Sequence, residues 1–275
     1  MEFGVFFEQN DRGPGKVARN LIKGMNLLDL KFFINKKKDF DIVLQNCKRL
    51  NEDLSNCIIG PNITTLPIDS RIVMDFKKYK KIITPSDWVK DKYLKWIPLE
   101  KIEVWAVGID TNFFLDFSKE EKTNDCLIYF KRRNVEDLIF VTKMLKKFNQ
   151  SFEIIEYGNY NEEQFLDSIK KSKYCFVIDN CESQGIAIQE MMSCNLPLFV
   201  WDVEFWIDRG EEYKVKSTSV PYWDEKCGIK EINKNLIFEK FELFLKNISF
   251  FKPRNYVIDN LSLEKQASEL IRIFK

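Results

Sequence analysis

Short apolar, β-branched or aromatic runs alternate along this chain with longer stretches of helical period. No other feature restricts the fold so strongly, because strands separated by helices pair in parallel and build βαβ units. The expected strands are "EFGVFF" (2–7), "KFFIN" (31–35), "DIVLQN" (41–46), "CIIGPN" (57–62), "KIITPS" (81–86) and "IEVWAVG" (102–108). A second series begins with "CLIYFK" (126–131) and continues through "FEIIEYG" (152–158), "YCFVIDN" (174–180) and "LPLFVWD" (196–202). Helical stretches such as 134–148 and 161–172 separate its members, and the first series has a helix opening at about Gly15. Between the two series, "GIDTNFFLDFSKEEKTND" is polar and aperiodic, which places a linker at about 109–124.

The expectation is therefore an α/β protein of two Rossmann-like domains facing a cleft. Residues 1–112 form one, with 256–275 packing back on it, and residues 113–255 form the other. A chain of 275 residues is long enough for two compact cores. In open parallel sheets ligands bind beyond the carboxyl ends of the strands, where loops and helix N-termini converge. The turns on that edge carry Gly13, Gly15 and Lys16; Gly60, Pro61 and Asn62; Ser86; Gly108; Lys131, Arg132 and Arg133; Gly158; and Glu182 to Gly185.

Composition removes several classes of function. The 43 basic residues meet 42 acidic ones, so no strong field gathers nucleic acid and no nucleic-acid partner is expected. The runs "NKKKD" and "FKKYKK" read as solvated faces. The start "MEFGVFFEQN" has no basic region or apolar stretch of the secretory kind, and no run of about 18 apolar residues occurs, so a cytoplasmic protein is expected. Seven cysteines, at 47, 57, 126, 175, 181, 194 and 227, form no CxxC pair and read as reduced, mostly buried thiols. Histidine is absent altogether. Imidazole bases, imidazole metal ligands and histidine-activated nucleophiles are thereby excluded.

Three stretches could carry chemistry. "RGPGKVARNLIKGM" follows the first strand and opens a helix; it is either a tight βα turn or a place where backbone amides meet an anion. It lacks both GxGxxG and GxxxxGK[ST]. "YFKRRN" sets Lys131, Arg132 and Arg133 just past a strand, as surface charge or as a diphosphate clamp. "CESQGIAIQE" follows "YCFVIDN", with Ser183 as the expected N-cap. Glu182 in the approach loop and Glu190 two turns into the helix are either dipole compensation and an exposed helix residue, or a pair of hydroxyl acceptors beside the amides at Gly185. "DFD" (39–41) matches a metal-binding DxD but precedes a strand instead of ending one, so no metal is expected.

The segment "ESQGIAIQEMMSCNLPLFVWD" resembles the acidic motif of GT-B-fold glycosyltransferases, two glutamates separated by seven residues before a small-residue helix and an apolar strand. "GPGKVARNLIKGM" is similar to that superfamily's glycine-rich first loop, "IITPSDWVKDKYLKW" to the late strand and helix of its first domain, "KIEVWAVGIDTNFF" to its crossover and "RNYVIDNLSLEKQASELI" to its closing helix. The resemblance covers nearly the whole chain. It implies that Glu190 binds the nucleotide ribose, that Glu182 binds hydroxyls of the transferred sugar, and that Ser183, Gln184, Gly185 and Ile186 meet sugar or phosphate. Lys131 with Arg132 or Arg133 would neutralise the leaving diphosphate. Tyr157, Gly158 and Tyr160 would lie near the base, and Gly13, Gly15 and Lys16 would close on the phosphates. Asn62 and Ser86 fall on the acceptor side.

The resemblance thus implies transfer of a sugar from a nucleoside diphosphate sugar to a hydroxyl acceptor on a glycan, lipid or protein, with retention and without metal or other cofactor. The chain departs from the pattern in lacking the histidine that many members place against the donor sugar. That departure keeps open an epimerase or phosphorylase on the same fold, and a catalytically silent nucleotide-binding scaffold. "DWVKDKYLKWIP" adds the alternative of a membrane-surface contact to that of buried packing.

Overall fold

A computed structural model describes residues 1–8, 13–44, 54–61, 76–208 and 213–275. The chain divides into two units, Met1–Asp110 with Asn260–Lys275, and Thr111–Asp259. The expected edges at 112 and 256 thus fall at 110 and 260.

In the first unit β1 (Phe3–Phe6), α1 (Gly13–Leu27), β2 (Phe32–Ile34), β3 (Phe40–Leu44), β4 (Cys57–Gly60), β5 (Lys81–Thr84), α2 (Asp87–Tyr93) and β6 (Ile102–Val104) follow in order. The strands form one sheet in the order β2-β1-β3-β4-β5-β6, all parallel. β1 and β4 are buried along their whole length, as strands covered on both faces are. Two expectations shift here. The residues expected to form a glycine-rich loop, Gly13 to Lys16, lie within α1. β6 stops at Val104, short of the expected Gly108. The backbone beyond it serves other partners: the Gly108 carbonyl accepts from the Asn20 side chain at 2.7 Å, and the Ile109 N–H donates to Leu261 at 2.7 Å.

The second unit contains β7 (Asn124–Lys131), α3 (Val135–Lys147), β8 (Phe152–Glu156), α4 (Glu162–Lys171), β9 (Ser172–Asp179), α5 (Ile186–Ser193), β10 (Leu198–Trp201), β11 (Phe205–Asp208), β12 (Tyr213–Lys216), β13 (Gly228–Glu231) and α6 (Ile237–Asn247). Five strands pair in parallel in the order β13-β10-β9-β7-β8, while β11 and β12 form a separate antiparallel hairpin. Neither the hairpin nor β13 stands out in the sequence, because "YKVK" and "GIKE" are short and half polar. The period of two sorts side chains between the faces. Cys126, Ile128 and Phe130 of β7 and Tyr174, Phe176 and Ile178 of β9 point to one side, where α3 and the aromatic residues Phe241 and Phe244 of α6 cover them. The alternate residues Lys131 and Asp179 point to the other.

α4 carries a complete N-terminal capping box, in which Asn161 accepts from the Gln164 N–H at 2.9 Å and donates its own N–H to the Gln164 side chain at 3.0 Å. The chain ends in α7 (Pro253–Leu261) and α8 (Leu263–Phe274). α8 starts at Ser262, whose hydroxyl accepts from the Lys265 N–H. It packs on α1 in the first unit, where a Cβ at Gly24 would come within 2.5 Å of the Leu263 carbonyl oxygen. Only a glycine allows the two backbones to approach so closely. Trp105, fully buried, donates its indole N–H to the Gln266 carbonyl of the same helix at 2.8 Å.

Candidate functional site

The strand order sets the place. In the second unit the chain runs from β7 outward to β8 and then crosses back to β9 on the other side of β7. Connections therefore leave in opposite directions between β7 and β9, and in open α/β sheets ligands bind at such a switch point. Lys131 is the last residue of β7 and Asp179 the last of β9, and the two are register partners.

Three charged side chains meet there. The Lys131 ammonium, buried, hydrogen-bonds the Glu182 carboxylate and lies 3.9 Å from Asp179 Oδ2. It also sits 4.2 Å from the centre of the Tyr157 ring, within cation–π range. Asp179 is fully buried, and its Oδ2 has no hydrogen-bond partner among the described residues. Burial and then the nearby Glu182 charge push its carboxyl up to about 8, against the pull of Lys131. Asp179 is the functional candidate that sequence reasoning missed; it stands in the expected strand "YCFVIDN" with no motif of its own to mark it.

The loop from Glu182 to Gly185 leads into α5. Gly185, not the expected Ser183, is the N-cap residue, at φ 70° in the left-handed region. Glu182 and Glu190 are both buried, which removes the reading of Glu190 as an exposed helix residue. Glu190 lies near enough to Tyr160 to raise that phenol's pKa, although burial is the larger cause of its rise to about 12. Gln184 is buried beside the helix start, and neither atom of its amide finds a hydrogen-bond partner among the described residues. A buried amide in that state lacks a polar partner that a ligand could supply. Ser183 and Ile186 are half-buried on either side.

The remaining residues of the second unit fall around this group. Arg132 is exposed, 5.9 Å from the Tyr157 ring centre. Arg133 is held by the Asp137 carboxylate at 3.0 Å and by the carbonyls of Asp179 and Trp201, so it braces the strand ends. Tyr157 and Gly158 are exposed in the turn after β8, and Tyr160 stacks on Phe165 at 5.1 Å. In the first unit Gly13 is exposed, Gly15 buried and Lys16 half-buried, all within α1. Ser86 is buried at the start of α2, and its hydroxyl makes no hydrogen bond among the described residues. Asn62 lies outside the described residues. Asp41 of "DFD" is buried and accepts from the Lys38 N–H at 3.0 Å. Among the described residues no three acidic or cysteine side chains gather as metal ligands would. No described helix is long and apolar enough to cross a membrane.

Neither a protein-family model nor a curated protein matches the sequence. Solved structures do match. An alpha-glucosyltransferase in complex with UDP and a 13-mer DNA containing an HMU base aligns over 100% of this chain and 99% of its own, with TM-score 0.66 and 11% identity. AviGT4, a glycosyltransferase involved in avilamycin A biosynthesis, aligns over 99% and 96%, with TM-score 0.62 and 10% identity. The lipopolysaccharide outer core galactosyltransferase WaaB, in its apo form, aligns over 99% of both chains, with TM-score 0.60 and 11% identity. The chain has the GT-B glycosyltransferase fold.

Proposed function

We propose that this protein is a glycosyltransferase that moves a sugar from a nucleoside diphosphate sugar to a hydroxyl acceptor. The observation that carries the reading is the group at the switch point, where buried Lys131 holds Glu182 beside the amides at the start of α5 and beside a Gln184 side chain that has no hydrogen-bond partner among the described residues. A diphosphate needs a cation and N–H donors, while a sugar needs hydrogen-bond acceptors fixed close by.

In this reading Lys131 and the exposed Arg132 neutralise the diphosphate as it leaves. Glu182 and Gln184 hold sugar hydroxyls, Glu190 holds the ribose, and Tyr157 and Tyr160 flank the base. The anomeric carbon loses its bond to the phosphate oxygen and gains one to the acceptor oxygen, whose proton passes to the departing diphosphate. Such a front-face transfer retains configuration and asks for no protein base, which suits a chain without histidine. Leaving-group stabilisation by fixed cations also makes a metal unnecessary.

Uridine is the first base to test, because the alpha-glucosyltransferase of similar fold is in complex with UDP. That structure also contains DNA, so a near-zero net charge is no ground for leaving nucleic acid out of an acceptor screen.

Thermal unfolding without metal against UDP, GDP, ADP and TDP sugars tests the proposal. Saturation at about 100 times the dissociation constant adds roughly 2.7 kcal/mol, a rise of a few degrees at this chain length. A rise with one base, followed by sugar transfer in an acceptor screen, supports the reading. A folded protein that responds to no nucleotide sugar overturns it in favour of a silent scaffold.

A further inference from the structure

The segment after the β11–β12 hairpin returns to the candidate site and is tied there by one buried carboxylate. Asp202 follows β10 and is 7% exposed. Its Oδ1 accepts from the N–H groups of Val203 at 2.8 Å and Ser219 at 2.6 Å, and the Thr218 hydroxyl lies 2.9 and 2.8 Å from its two oxygens. Lys230 of β13 approaches Oδ2 to 3.7 Å and donates to the Val220 carbonyl at 2.9 Å. The segment held in this way then grips the site backbone at two points. The Thr218 carbonyl accepts the Glu182 N–H at 3.0 Å, and the Ser219 hydroxyl donates to the Asp179 carbonyl at 2.9 Å.

We propose that Asp202 is a positioning residue for the donor sugar, fixing the backbone of Asp179 and Glu182 through Thr218 and Ser219. The inference rests on the reading of Glu182 as a sugar ligand. The links from Asp202 to the site backbone run through Thr218 and Ser219. Charge-assisted hydrogen bonds that backbone amides donate to a buried carboxylate are stronger than neutral ones, which suits them to hold a loop in one geometry. The nucleotide half of the ligand would feel little of this, since Glu190 is carried by α5 and Tyr157 by the turn after β8.

The test compares UDP with the UDP sugar that stabilises the wild-type protein, by calorimetric titration of Asp202→Ala, Asp202→Asn and Thr218→Val, together with kcat and KM. The expected result is UDP affinity within about twofold of wild type, and loss of about tenfold in the extra affinity conferred by the sugar. kcat falls in parallel in Asp202→Ala and Thr218→Val. Asp202→Asn loses less than Asp202→Ala, because its amide oxygen still accepts from Ser219 and Val203. If Asp202→Ala does not fold, Thr218→Val and Asp202→Asn decide. A sugar advantage undiminished in the folded variants overturns the role of Asp202 alone. So does an equal loss for UDP and UDP sugar, which marks a general structural role. A wild-type protein that binds UDP but gains nothing from any sugar overturns the reading of the Glu182 loop, and this inference with it.

Discussion

Lys131 and Asp179 stand opposite each other as the last residues of two neighbouring parallel strands, the ammonium and the carboxyl group 3.9 Å apart and both buried. Glu182 shares the same ammonium. One cation therefore faces two buried carboxyl groups, and like charges that close resist simultaneous ionisation.

This arrangement predicts how stability depends on pH. The Asp179 carboxyl titrates near 8 in the folded protein, against about 4 in an unfolded chain. Between those values the folded state keeps a proton that the unfolded state has released, so stability falls as pH rises through that window and levels off above it. Asp179→Asn removes this contribution. Melting temperatures of the two proteins at pH 5, 7 and 9 check the prediction, with the variant gaining relative to wild type as pH rises. Parallel curves would show that Asp179 ionises normally.

On the proposed reading of the site, the same group also sets the affinity for a nucleoside diphosphate. Above pH 8 an ionised Asp179 adds negative charge beside Lys131, so UDP affinity declines there in the wild type and holds in Asp179→Asn. Titrations at pH 7 and 9 in equal ionic strength measure it.

Glu182→Gln keeps size and shape but removes the charge that Lys131 holds. A charge-assisted hydrogen bond to a sugar hydroxyl is worth roughly 1.5–3 kcal/mol, so affinity for the nucleotide sugar drops about ten- to a hundredfold. Binding of UDP alone holds or improves, because Lys131 then has one carboxylate fewer to satisfy. Wild-type turnover in this variant would sink the assignment of Glu182.

Gly185→Ala isolates a backbone effect. An added Cβ would meet only ordinary contacts, 3.5 Å from Glu182 Cγ and from Pro221 Cδ. The cost therefore comes from φ 70°, about 1–2 kcal/mol for a side chain in the left-handed region. A melting temperature lower by a few degrees is expected.

Gly24→Ala tests the helix contact in the first unit. The new methyl would lie 2.5 Å from the Leu263 carbonyl oxygen, which is backbone and cannot rotate away. α1 and α8 must separate, with a loss of about 1–3 kcal/mol. Circular dichroism melts measure it, and an unchanged midpoint would show that the helices do not pack this closely.

The alternation of apolar runs with helical stretches was enough to specify an α/β chain with two parallel sheets, because hydrophobic period and turn chemistry are properties of neighbouring residues. The helices expected at 134–148 and 161–172 are legible for the same reason. So is the common edge that brings "YFKRRN" and "CESQGIAIQE" to one side, since every parallel strand ends there. What the residues could not reveal is which strand lies beside which. Lys131 and Asp179 are 48 positions apart, and nothing local in "YCFVIDN" marks its aspartate as different from a solvated turn residue. The tertiary structure alone makes β9 the neighbour of β7, buries Glu190, and ties the Glu182 loop to Asp202 through Thr218. Strand order and burial arise from contacts between distant segments, and the same contacts set the local dielectric and hence the charge state of each carboxyl group.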